Sequence, residues 1–291
     1  MWQWSASSWT DQRVFSMRIS KKKCVGCANC VPVCPMGAIF IGPDQLAEVN
    51  REACVECHTC YRGLSFEHLP GGPVRWARRA LKMVRLRFQP DPDLCPTEAL
   101  EPEELEWPRI VRRAFSDPMV THESTGIHGR GTAEVKTNDV TGRVGTGDAG
   151  FVVEFGRPGV GVYFRDVDKA TRALAHEGAA FERENPVTSL MTDVNTGRIR
   201  EDILNEKVLS CIVELKTRLE EVPRILRAIR KVSTTLDTVV SIGVSTRCDK
   251  DGTDPLRALL SKQGYDTWRA KVNLGMGRRS NGMSGGKGKR A

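Results

Sequence analysis

Four thiols stand close together at Cys24, Cys27, Cys30 and Cys34, spaced two, two and three residues apart, with Pro35 after the last. Three closely spaced thiolates on short loops fold inward onto one point and can hold three corners of an iron–sulfur cube. A fourth follows on the next turn. Structural zinc sites ordinarily use thiols in pairs, and a disulfide framework belongs to secreted chains. The run therefore implies iron–sulfur chemistry. A second run follows at Cys54, Cys57 and Cys60, but position 64 is Leu64 and carries no thiol. The match to Cys34-Pro35-Met36-Gly37-Ala38-Ile39 comes only at Cys95-Pro96-Thr97-Glu98-Ala99-Leu100.

The two runs together resemble a bacterial-type ferredoxin carrying two [4Fe–4S] clusters, whose motif closes on Cys-Pro-Thr-Gly-Ala-Ile. The chain then reads as a ferredoxin whose second motif is split by an insertion of 34 residues, 61–94. The resemblance implies two [4Fe–4S] clusters, the first on Cys24, Cys27, Cys30 and Cys95, the second on Cys54, Cys57, Cys60 and Cys34. Ligation is the role of each thiolate, and backbone N–H groups around them are expected to tune the clusters by hydrogen bonds to sulfur. Eight cysteines so used imply a reducing cytoplasm and an anaerobic or low-oxygen setting.

The elements that must position these thiols can be read from the pattern around them. The length, 291 residues, suggests two domains. No apolar run approaches the roughly 20 residues of a membrane span, and the start, Met1-Trp2-Gln3-Trp4, has no secretory character. Residues 1–16 read as a flexible extension and 17–106 as the ferredoxin domain. Within it Ile39-Phe40-Ile41, a turn at Gly42-Pro43-Asp44, and Leu46 to Val49 predict a hairpin. The insertion carries Val74 to Phe88, with six cations and no acids; Ala77, Leu81, Val84 and Phe88 share one helical face. Such a basic amphipathic helix can hold an acidic partner or lie on a membrane. The plainer reading packs it over the cluster domain, its cations answered by Glu98, Glu101, Glu103, Glu104 and Glu106.

Residues 107–150 read as a glycine-rich polar connector. Gly126, Gly129, Arg130 and Gly131 are candidates to cradle a phosphate-bearing cofactor, although no P-loop or dinucleotide spacing is present. From 151 to 250 the expected order is strand, helix, strand, strand, helix, strand: Phe151–Phe155, Asp166–Gly178, Pro186–Met191, Val208–Leu215, Glu220–Val232 and Thr238–Val244. The fold class is thus α+β, a two-cluster ferredoxin module followed by a βαββαβ sandwich. Gly156-Arg157-Pro158-Gly159 resembles the Asp-Arg-Pro-Gly turn of ACT-type regulatory domains, with Gly156 replacing the acid. In that family the turn helps form a small-ligand site, commonly at a dimer interface. A ferredoxin-like sandwich without a ligand fits the same pattern. Residues 251–291 add a helix at 255–262, a strand at 265–274 and a basic glycine-rich tail.

The net charge of +8 favours acidic partners; nothing points to specific nucleic-acid binding. The preferred reading is an electron-transfer protein passing electrons to a redox partner with an acidic docking surface. Its rivals are a sensor binding a small effector at 156–159, which could dimerise, and a reductase subunit with a cofactor site in 121–149.

Overall fold

The computed structural model describes residues 15–62, 76–77, 79–81, 83–84, 94–122, 126, 139 and 142–265. Strand β1 (Phe15–Ile19) leads into the first cysteine run, and the hairpin of β2 (Ile39–Ile41) and β3 (Ala47–Val49) separates it from the second. The short helix α1 (Thr59–Arg62) holds Cys60, and β4 (Leu100–Glu104) follows Cys95. Strands β1 and β4 pair antiparallel, from Phe15 opposite Glu104 to Ile19 opposite Leu100. This ladder brings the far side of the insertion back to the start of the first motif. Arg18 reinforces it from the exposed face, pairing with Glu101 at 2.8 Å and Glu103 at 2.9 Å. The acidic stretch after Cys95 is thus answered largely by β1 and the first cysteine loop.

Helix α2 (Ile110–Ser116) was not evident in the connector, yet Ile110, Val111, Ala114 and Phe115 recur at helical spacing after Pro108 and are all buried. The chain then runs through β5 (Asp148–Phe155), β6 (Val162–Tyr163), α3 (Phe164–His176) and β7 (Ala180–Phe181). It continues through β8 (Met191–Asp193), β9 (Arg198–Ile199), β10 (Lys207–Val208), β11 (Cys211–Arg218), α4 (Val222–Ser233), β12 (Val240–Thr246) and α5 (Pro255–Lys262). Four strands form one antiparallel sheet in the order β12-β5-β11-β7, so the chain order is strand, helix, strand, strand, helix, strand.

Alternation builds one face of that sheet. Phe151, Val153 and Phe155 of β5 lie opposite Leu215, Val213 and Cys211 of β11, and all six are buried. Val222, Ile225, Leu226 and Ile229 of α4 and Val167, Ala170 and Leu174 of α3 join the same apolar cluster. Leu105, Ile110, Val111, Ala114 and Phe115 belong to it too, so α2 is part of this core rather than a tether.

One strand differs from expectation. Residues 186–191 are not in the sheet: Thr188–Leu190 form a 3-10 turn and Met191 starts β8, which pairs with β9. Asn185 decides this, because its amide donates to Glu214 Oε2 at 2.5 Å while its carbonyl oxygen accepts from Val187 N. Pro186 lacks the N–H that a sheet interior needs. The second strand is instead β7. Helix α5 occupies the expected residues and is capped by Asp254, whose carboxylate accepts from Leu256 N and Arg257 N. The strand expected at 265–274 falls, beyond Tyr265, outside the described residues.

Phe115 packs edge-on against Phe164 and His122, with ring centroids 5.3 and 5.0 Å apart. Phe115→Ala should lower stability by about 3–5 kcal/mol through the cavity it leaves, measured by denaturant unfolding of the chain.

Candidate metal centre

Two cavities lie within the 17–100 region, and each is lined by four thiols. The outer cavity is walled by Cys24, Cys27, Cys30 and Cys95 with Ile19, Val25 and Leu94 among its apolar neighbours. The inner is walled by Cys34, Cys54, Cys57 and Cys60 with Met17, Met36 and Val55. Each cavity therefore combines a triplet with a thiol from the other end of the fold. Among the described residues no group of three or more His, Cys, Asp or Glu is arranged around a single metal ion. The thiols ring cavities instead.

The local turns repeat almost residue for residue. Ala38 N donates to Cys34 Sγ at 3.2 Å, and Ala99 N donates to Cys95 Sγ at 3.1 Å. Asn50 N bonds Ala38 O and Ser20 N bonds Ala99 O, both at 2.7 Å; Cys24 N reaches Ser20 O as Cys54 N reaches Asn50 O. Left-handed backbone recurs at matched positions: Gly26 and Glu56, Ala28 and His58, Gly37 and Glu98. Only glycine adopts it without cost, so the sharp turns that aim the thiols are kept even where the side chain resists them. The donor set fits an iron–sulfur cluster: soft thiolate ligands, with N–H groups pointing at ligand sulfur. Ala47 N adds a further bond to Cys24 Sγ at 3.4 Å and Thr59 Oγ1 one to Cys57 Sγ at 3.3 Å.

The surroundings of the two cavities differ. Glu56 is buried and takes Met17 N at 2.9 Å and the Arg109 guanidinium at 2.9 and 2.5 Å. Arg112 donates to the carbonyls of Glu52 at 2.7 Å, Cys54 at 2.9 Å and Arg51 at 3.2 Å, and its Nε to Glu206 at 2.5 Å. Buried Asp117 receives Arg62 at 2.8 Å and Arg113 at 3.0 Å, with His58 Nδ1 3.8 Å away. Burial pushes the metal-free thiols up, Cys54 to about 12 and Cys30 to about 11, and raises Cys57 and Cys60 as well. Ligation needs thiolates, so loading these sites must release protons.

The other expected site residues fall elsewhere. The turn Gly156–Gly159 lies against the inner cavity's rim, where Gly159 N donates to Pro35 O at 2.6 Å. Arg157 bridges back to Glu154 at 3.1 Å and to Gly156 O, and Gly161 abuts the Met36 methyl. Gly126 is exposed and bonds His122 O; Gly129, Arg130 and Gly131 lie outside the described residues. Lys21 and Lys23 are held by Asp44, Glu48 and Glu101, and these hydrogen bonds raise both lysine pKa values. The arginines around Glu56, Asp117 and the 51–54 carbonyls were missed; Arg109 just before an otherwise apolar helix, with Arg112 and Arg113 on it, was the available signal.

A family model decides the chemistry of this region. Residues 16–63 match the 4Fe-4S dicluster domain. The B subunit of polysulfide reductase from Wolinella succinogenes is 32% identical over 93 residues, covering 29% of this sequence and 49% of that one. Ferredoxin YfhL of Escherichia coli is 47% identical over 36 residues, 12% of this sequence and 41% of that one. The chain thus spans less than half the length of these curated relatives. No solved structure matches. The region is a ferredoxin-type 4Fe–4S domain, and its cofactors are [4Fe–4S] clusters, two of which suit the dicluster model.

Glu98 and Glu56 share the left-handed strain but not the surroundings. Glu98 is exposed and paired with Arg79, so Glu98→Gly should stay within about 1 kcal/mol of the parent, strain relief offsetting a surface pair. Glu56→Gly removes the buried acceptor of Met17 N and Arg109, leaving Arg109 only the Arg51 carbonyl, and should cost about 2–3 kcal/mol net, since that loss outweighs the relief. Parallel denaturant titrations of the two variants check the contrast.

Proposed function

We propose that this chain is an iron–sulfur electron carrier that passes electrons to or within a partner oxidoreductase. The observation that carries the reading is the pair of cavities, each walled by three thiols of one run and one from the far end of the other. Cys24, Cys27, Cys30 and Cys95 would hold one cluster; Cys34, Cys54, Cys57 and Cys60 would hold the other. When bound, each cluster supplies one-electron transfer. The residues around it shape that property: Ala38 and Ala99 direct N–H groups at ligand sulfur, and apolar side chains limit water. The ferredoxin domain spans 17–106 in this reading, and an ACT-like α/β domain spans 151–250, joined by the 107–150 segment, whose helix α2 and first residues of β5 belong to the α/β core. A small effector at 156–159 is the weaker part, because that turn lies against Pro35 and Met36.

The partner is an oxidoreductase with an acidic docking surface. Similarity to a protein named as part of a reductase favours an oxidoreductase. The insertion supplies a complementary surface. Residues 76–77, 79–81 and 83 are helical, Trp76 is 73% and Met83 85% exposed, and Leu81 and Val84 are exposed as well. The plainer reading expected this apolar face to pack over the cluster domain, and among the described residues Leu81 and Val84 are exposed; it also expected the helix's cations to meet the acidic run, as Arg79 does. Six cations and no acids lie between Val74 and Phe88, and Arg79 ties the helix to Glu98 beside Cys95. Among the described residues no helix is long and apolar enough to cross a membrane.

Iron and acid-labile sulfide per chain, measured on protein purified without oxygen, test the reading. About eight irons are expected, falling toward about four or seven in Cys95→Ala. About four irons in both proteins would leave one cluster and remove Cys95 from the ligand set.

A further inference from the structure

The two cysteine loops are matched in backbone, so their burial can be compared position by position. Val25 is 62% exposed, whereas its counterpart Val55 is 1% exposed. Cys27 is exposed and Cys57 buried, and Ala28 is half-buried and His58 buried, whereas Cys24 and Cys54 are both half-buried and Cys30 and Cys60 both buried; the contrast lies at the loop tips. Identical turns in one chain should meet water equally unless something else covers one of them. The cover comes from the α/β core and α2. Leu209 packs against the small cluster formed by Met36, Ala38, Val55 and Cys57, and its N–H is held by Ser116 Oγ at 2.9 Å. Arg112 pins the carbonyls of residues 51, 52 and 54 to Glu206. Gly159 N closes on Pro35 O, and a side chain at Gly161 would strike Met36 at 2.8 Å.

We infer that the α/β domain is a lid on the inner thiol cavity, so that among the described residues the outer cavity of Cys24, Cys27, Cys30 and Cys95 is the more open to solvent and to a redox partner, through its Val25–Cys27 loop. This gives the second domain a task that needs no ligand: it shields one of two otherwise equivalent sites. The turn at Gly156–Gly161, with its crowded glycines, forms one side of that contact, and Leu209 and Arg112 form the other. The lid also places the partner-facing surface at the Val25–Cys27 rim, on the cavity that Cys95 completes.

The inference rests on the two-cluster reading, and the test separates the two. The anaerobically loaded full chain is mixed with excess EDTA, iron release is followed in time, and aliquots are alkylated with iodoacetamide and mapped by mass spectrometry. Two phases of about four irons each are expected, differing on the order of tenfold or more in rate because the slow one requires local opening. Early alkylation should fall on Cys24, Cys27, Cys30 and Cys95. Leu209→Asp should speed the slow phase on the order of tenfold and leave the fast phase unchanged. A single phase of all eight irons, or early alkylation at Cys54, Cys57 and Cys60, overturns the lid. Alkylation of the iron-free parent gives a readout independent of loading and of any variant's folding: Cys27 should react well before Cys57 and Cys60, and equal rates also overturn it. A parent holding about four irons, with that thiol order kept, sinks the two-cluster reading and leaves the lid standing.

Discussion

A buried guanidinium joins the two halves of the molecule. Arg112 spends its donors on the carbonyls of Arg51, Glu52 and Cys54 and on the Glu206 carboxylate. A charge taken out of water is tolerable only when its hydrogen bonds are met. The cysteine loop and the segment before β10 must therefore both be in place for either to be comfortable. The helix that carries Arg112 has its apolar face in the α/β core, so formation of that core and closure over the inner thiols are one packing problem.

The split motif shows how little chain continuity matters once a ladder supplies the geometry. Moving the closing cysteine from position 64 to Cys95, 31 residues on, adds roughly three doublings of loop length, or about 2 kcal/mol of closure entropy. The pairing of β1 with β4 restores the Cys95 turn to the place that Cys34 holds in the other half. Glu98 even adopts the left-handed conformation that Gly37 adopts there. The turn's N–H to sulfur bond is retained with a residue that resists its backbone, so the thiol's aim is evidently set by the surrounding ladder.

From this arrangement comes an asymmetric pair of sites. Matched turns build two thiol cavities, and the α/β unit then breaks their equivalence by covering the 55–58 loop while leaving Val25 and Cys27 exposed. Solvent access and nearby charge are the levers by which a protein sets a cluster's properties. Here they are applied by a domain lying outside the cysteine motifs altogether, through Arg109, Arg112, Asp117 and Leu209.

Thiol chemistry was legible in the sequence because ligand spacing is local: three side chains two residues apart can meet only on a short loop, wherever the rest of the chain goes. The β2–β3 hairpin, α3, α4 and α5 were legible for the same reason, each written in a short-range period. Tertiary structure alone decided the rest. Asn185 turned an apolar stretch away from the sheet by bonding Glu214, a partner 29 residues off. Helix α2 hid in a polar connector because its four apolar residues acquire meaning only against Phe164 and the sheet. The turn at Gly156–Gly159, which resembled a ligand site, lies against Pro35. Contacts between residues far apart in sequence leave no periodic trace, and the contrast between the two otherwise matched cavities rests on such contacts.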